Sequence, residues 1–203
     1  WGEQMADLWT LGAAEAAQKI TEGEITSEAL VQSCLDRIAA RDDAVGAWIW
    51  LEAETALAQA READRVQALG HGTGALHGVP VGIKDIIETA DMPTQDGYRG
   101  HEGRHTHRDA FCVSQLRDAG AVILGKTVTT ELAFMHPSET RNPHDIDRSP
   151  GGSSSGSRPG RQCRREDPRA VGAPCPERRL SRFRCDRTTA PTHGPWAPPV
   201  PGR

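Results

Sequence analysis

Leu76-His77-Gly78-Val79-Pro80-Val81-Gly82-Ile83-Lys84-Asp85 is the stretch on which the reading turns. Val79-Pro80-Val81-Gly82-Ile83 is short, β-branched and flanked by Gly78, the texture of a buried strand in a mixed or parallel sheet. Lys84-Asp85 ends it. A helix is predicted from about Asp109 to Ala119, with Gly120 after it, and Ala121-Val122-Ile123-Leu124-Gly125 reads as a second buried strand. Helix followed by apolar strand argues an α/β sandwich.

On the N-terminal side the pattern is helical. Thr10 or a neighbour caps a helix over Leu11 to Ile20 that Gly23 stops. Thr26 or Ser27 caps a second, in which Leu30, Val31, Cys34, Leu35 and Ile38 recur at the spacing of one buried face. Ala47 to Leu51 is expected as a buried strand, and Ala53 to Leu69 as a third amphipathic helix closed by Gly70. On the C-terminal side, Thr129 to Met135 is expected as one more short helix. Pro137 to Pro150 is expected as a polar loop leading into Gly151-Gly152-Ser153-Ser154-Ser155-Gly156-Ser157.

The charges divide at Arg158. The 203 residues carry 24 Lys+Arg and 28 Asp+Glu, but residues 158 to 203 hold 11 arginines, no lysine and only 4 acidic residues. The acidic body argues against a general nucleic-acid binder, which needs a clustered basic face. The basic tail, with one Trp and one Phe, has no aromatic platform for stacking. Apolar runs such as Ala121 to Leu124 fall far short of the roughly 18 residues of a membrane span. The first residues lack the basic and apolar regions of a signal peptide, and Trp1 reads as a trimmed start with Met5 as the candidate initiator. Cys34, Cys112, Cys163, Cys175 and Cys185 form neither a disulfide framework nor a Cys-x-x-Cys pair, so the cytoplasm is the expected compartment. The tail is also rich in proline and glycine and poor in large apolar residues. It is therefore expected to be disordered and set apart from a folded segment, residues 1 to 157. Its arginine, proline and cysteine bias is that of a GC-rich gene read out of frame.

Two places carry candidate chemistry. Lys84, at the end of an apolar strand, is either a desolvated amine poised as a base or a cation that snorkels outward to pair with Asp85 or a neighbour. The Gly151–Ser157 run is either a flexible linker or a loop whose backbone N–H groups and hydroxyls act at close quarters. It is no Walker A loop, having no lysine after its last glycine, and no nucleophile elbow, having no strand before it. His101, His105 and His107, near Cys112, lie in a polar stretch without a second ligand pair, and no metal is assigned to them.

The parts are more specific in combination. Leu76 to Asp85, then Ala119-Gly120-Ala121-Val122-Ile123-Leu124-Gly125-Lys126-Thr127, then Arg141-Asn142-Pro143-His144-Asp145, then Ser149-Pro150 and the Gly/Ser run together closely resemble the amidase signature family over residues 1 to 157. The resemblance implies a mixed twisted sheet flanked by helices, of which this chain holds the N-terminal part. It implies hydrolysis of a small-molecule carboxylic amide to acid and ammonia without cofactor or metal. It makes Lys84 the ultimate base and Ser153, in a cis peptide, the proton relay, with Gly151, Gly152, Ser154 and Ser155 in support. Homo-oligomerisation is left open, and neither nucleic acid nor membrane is an expected partner. The nucleophilic serine that the family carries about two dozen residues further on has no counterpart here. Ser181, the one serine after Ser157, has no glycine beside it, which points to a truncated or frameshifted and inactive product. A second reading within the family is the glutamine-hydrolysing subunit of a tRNA-dependent amidotransferase. Ser155 stands where its usual pattern has glycine.

Overall fold

A computed structural model describes residues 7–70, 74–134 and 136–157. These lie within the first of two units, Trp1–Gln162; the second is Cys163–Arg203. The expectation for residues 158 to 203 lies outside the described residues.

Three helices precede the central strands. Helix α1 (Ala13–Thr21) starts after Gly12, and Thr10 does not cap it: Thr10 sits in a 3-10 turn and its hydroxyl donates to Asp7 O at 2.7 Å. Helix α2 (Ser27–Val45) opens as expected, with Thr26 Oγ1 accepting from Ala29 N at 3.1 Å. A second cap comes from helix α3 (Ala53–Ala68). The Asp64 carboxylate accepts from Ser27 N and Glu28 N at 2.7 and 3.0 Å, satisfying two N–H groups that the first turn of α2 leaves open.

The sheet is mixed. Strand β3 (Val122–Thr127) is central, antiparallel to β1 (Trp48–Leu51) on one side and parallel to β2 (Pro80–Lys84) on the other. Every residue of β3 is buried. Strand β1 is an edge rather than the buried strand its apolar run predicts, with Ile49 47% exposed. Among the described residues it has one sheet neighbour, β3.

Two apolar layers sandwich the sheet. Val122 and Leu124 pack with Val31, Leu35, Ala56, Leu57 and Ala60 of α2 and α3. Ile123 and Ile83 pack on the opposite face with Met92 and with Val113 of helix α4 (Phe111–Asp118). This is α/β architecture. Helix α4 starts two residues later than expected, because Asp109 is engaged elsewhere, accepting from Ala90 N and from Arg117 Nε.

The pairing of β2 and β3 contains one irregularity. Val81 pairs with Ile123 but Gly82 pairs with Gly125, so one extra residue, Leu124, is accommodated in β3. Such a bulge reverses the faces of all that follows it. Beyond it Lys126 pairs with Ile83 and Thr127 with Lys84.

The helix expected over Thr129 to Met135 does not form. A single 3-10 turn spans Glu131–Ala133, with Leu132 and Ala133 at φ of 48° and 56°. The segment is held by other partners instead, Thr130 N donating to Ser153 O and Leu132 N to Asp96 O. Residue 135 lies outside the described residues. Among the described residues no helix is long and apolar enough to cross a membrane.

Candidate active site

Lys84 closes β2, half-buried, on the face of the strand opposite Ile83. Its amine donates to Ser153 Oγ at 2.7 Å. Of the two readings of Lys84, pairing with Asp85 is not the one observed. Asp85 faces the other way, is 1% exposed, and lies 3.4 Å from Lys126 Nζ. Burial pulls the Lys84 amine below the ordinary lysine value.

The Gly151–Ser157 run is built into the fold, in contrast to the linker reading. Gly151 takes a φ of 81°, a conformation costly to residues with a side chain, and the Gly152–Ser153 peptide is cis. Ser153 O accepts from Thr130 N at 3.0 Å and Thr129 Oγ1 at 3.2 Å, tying the loop to the segment that leaves β3. Ser155 is 1% exposed and its hydroxyl donates back to Gly151 O at 3.2 Å. Ser154 lies at the start of the closing turn, where its carbonyl accepts from Ser157 N. Gly156 N donates to Val128 O, and a Cβ at Gly156 would stand 2.1 Å from Ala47 O. Only glycine lets the loop approach the sheet this closely.

Ser153 opens onto a cavity of about 410 Å³ walled by Ala133, Phe134, Pro137 and Pro150, with the hydroxyls of Ser138 and Ser149 at its lining. Phe134 is 77% exposed beside it. Ala133 and Phe134 of the 131–134 turn thus form an apolar wall next to Ser153. The arrangement can move a proton from a hydroxyl at Ser153 to an amine at Lys84 beside a space sized for a small acyl group.

A third charged feature escaped the sequence reading. Lys126 is fully buried, donating to Pro93 O at 3.0 Å and Thr94 Oγ1 at 2.7 Å beside the Asp85 carboxylate. Strict alternation along β3 would put Lys126 with Val122 and Leu124; the bulge turns it to the Ile83 face. His101 Nδ1 lies 2.8 Å from Asp96 Oδ2, and the rings of His105 and His107 stack at 5.5 Å. Among the described residues no group of three or more metal-ligating side chains comes together.

The amidase family model matches residues 29–158. A glutamyl-tRNA(Gln) amidotransferase subunit from Thermobifida fusca (strain YX) is 45% identical over 159 residues, covering 75% of this chain and 32% of that protein. The chain therefore spans about a third of the length of the curated relatives it matches. Among solved structures, native peptide amidase from Stenotrophomonas maltophilia superposes with a TM-score of 0.67 at 42% identity, covering 71% of this chain and 32% of that one. A fatty acid amide hydrolase gives a TM-score of 0.70 at 27% identity over 77% of this chain and 30% of that one. A family match over more than half of the sequence, close relatives and a shared fold lead to one conclusion: the chain belongs to the amidase family.

Proposed function

We propose that this segment carries the base half of a carboxylic-amide hydrolase, with Lys84 as ultimate base and Ser153 as relay. The observation that carries the reading is the 2.7 Å contact between Lys84 Nζ and Ser153 Oγ. A neutral Lys84 amine accepts the Ser153 hydroxyl proton, and Ser153 in turn takes the proton of a nucleophilic serine as that serine attacks the amide carbonyl. Collapse of the tetrahedral intermediate returns the proton to the departing nitrogen and releases ammonia. Water then resolves the acyl-enzyme with the relay acting again. Burial of Lys84 supports the step, because it raises the fraction of neutral amine near neutral pH.

The nucleophile is not assigned to any residue of this chain. Beyond Ser157 only Ser181 offers a hydroxyl of that kind, flanked by Leu180 and Arg182. The 203-residue chain is accordingly expected to show no amide turnover above background. Losing a nucleophile costs on the order of 10⁶ in kcat in a comparable hydrolase. The arginine-rich composition after Arg158 supports a shifted reading frame. Restoring the frame after the Ser157 codon should bring back a serine in a glycine-rich loop and, with it, ammonia release from simple amides. Activity of the restored chain that survives Lys84→Ala would refute the relay.

A second reading, glutamine hydrolysis within a multi-subunit amidotransferase, is favoured by the 45% identity to the Thermobifida fusca protein. Ser155 speaks for the simple amidase. Glutamine-specific ammonia release that requires added partner subunits would decide for the second reading.

A further inference from the structure

The chain has three lysines, and two of them sit at the end of the same strand pair. Lys19 pairs with Glu24 at the surface, Lys84 meets Ser153, and Lys126 is sealed in the interior. The mechanism proposed above has no use for Lys126 or Asp85, yet burying two charges is costly even when they face each other. We propose that the buried Asp85–Lys126 pair is a positioning device for Lys84, holding the adjacent carboxylate on the far side of the strand and cancelling its charge so that the Lys84 amine faces Ser153 alone. The inference rests on the reading of Lys84 as the base.

The geometry supports it at three points. Asp85 follows Lys84 directly and is the nearest carboxylate in sequence, the natural ion-pair partner of an amine there. It is withdrawn instead by Lys126 and by the N–H groups of Gln95 and Gly97. The bulge at Leu124 puts Lys126 within reach of Asp85, and a Cβ at Gly125 would stand 2.1 Å from Trp50 O, so the bulge demands glycine there. Asp85 N also donates to Thr127 O at 2.9 Å, the residue paired with Lys84, so Asp85 anchors the strand end that aims the amine.

The groups that face each member can be named. Lys126 feels Asp85 first, then Asp96 and Asp91, and is held by Pro93 O and Thr94 Oγ1. Asp85 feels Lys126 and the two backbone N–H groups. Lys84 is shifted by burial alone, with no ionised neighbour adding to it among the described residues. A compensated pair projects little field onto Lys84, whereas either charge left alone projects a large one through a poorly polarisable interior.

The test is the pH dependence of Lys84 acylation in the 203-residue chain, followed by mass spectrometry with Lys19 as exposed reference and circular dichroism as fold control. Lys126→Met leaves a lone carboxylate and should raise the Lys84 midpoint by about one pH unit, a tenfold loss of labelling at fixed pH below the midpoint. Asp85→Asn leaves Lys126 without its carboxylate and should lower the Lys84 midpoint, by less than Lys126→Met raises it, because burial favours the neutral Lys126 amine. The double variant, with neither charge, should return to within about half a unit of the parent. A general loosening of structure would move both single variants in the same direction, toward Lys19. Same-direction shifts, or folded single variants with an unchanged Lys84 profile, overturn the proposal. Should a single variant fail to fold, the double variant carries the test: a midpoint near the parent's sustains the proposal, and one at the Lys19 value overturns it. These outcomes concern the amine, not turnover, so amide hydrolysis that ignores Lys84 would reject the base reading while leaving this result to stand or fall by itself.

Discussion

Lys84 Nζ and Ser153 Oγ meet at 2.7 Å although the two residues are 69 positions apart in the chain. Neither side chain is brought there by its own element alone. Lys84 is aimed by the end of β2, and Ser153 by a loop whose carbonyl is held by Thr129 and Thr130 just beyond β3. The central strand is thus the common ruler for both.

The first prediction concerns protons. Burial lowers the Lys84 pKa, so between its folded and unfolded values the native state binds fewer protons than the unfolded chain. The contribution of this group to stability therefore rises with pH across that window, and acidification below it brings no further change. Acylation of Lys84 should reach half its maximal rate at lower pH than that of Lys19, whose pairing with Glu24 raises its value. Coincident profiles for the two lysines would contradict this.

Gly156 is the tightest point of the serine loop, 2.5 Å from Val128 N and 2.1 Å from Ala47 O for an added Cβ. Both neighbours are backbone and cannot swing aside. Gly156→Ala should cost about 1–3 kcal/mol, the range for overpacking, and should weaken the Lys84–Ser153 contact. Urea denaturation of variant and parent checks the energy, and an unchanged midpoint would show the loop is freer than described.

Asp64 reaches from α3 to cap the first turn of α2. Asp64→Ala should destabilise the chain by about 0.5–2 kcal/mol, as loss of a cap does, and Asp64→Asn by less because one acceptor oxygen remains. Thermal unfolding ranks the two, and an Asn variant as damaged as Ala would refute the cap.

Ile83 packs with Met92, Val113 and Ile123 directly behind the lysine. Ile83→Ala should cost about 2–5 kcal/mol through lost burial and the cavity left behind. A loss under about 1 kcal/mol by urea titration would mean that this layer does not hold β2 in place.

Much of this is legible in the sequence. Thr26 or Ser27 as cap, the one-sided face of α2, and the strands at Val79 to Ile83 and Ala121 to Gly125 follow from spacing and residue type, which act over a few positions. What escaped depends on distant partners. Asp64 caps a helix 36 residues away, Thr130 and Leu132 give their N–H groups to Ser153 and Asp96, and β1 has no second sheet neighbour among the described residues. At the site, motif order points to Lys84 and Ser153, while nothing local points to the Asp85–Lys126 pair. A single inserted residue at Leu124 reverses which face Lys126 occupies, and no short-range pattern announces it.

The relay is tested most sharply by ammonia release from a simple carboxamide, measured on the 203-residue chain, on a chain with its frame restored after Ser157, and on the Lys84→Ala form of each. Release is expected only from the restored chain with Lys84 intact, falling by several orders of magnitude in the Lys84→Ala form. Turnover by the 203-residue chain itself would contradict the missing nucleophile, and turnover in the restored chain that does not depend on Lys84 would contradict the Lys84–Ser153 relay.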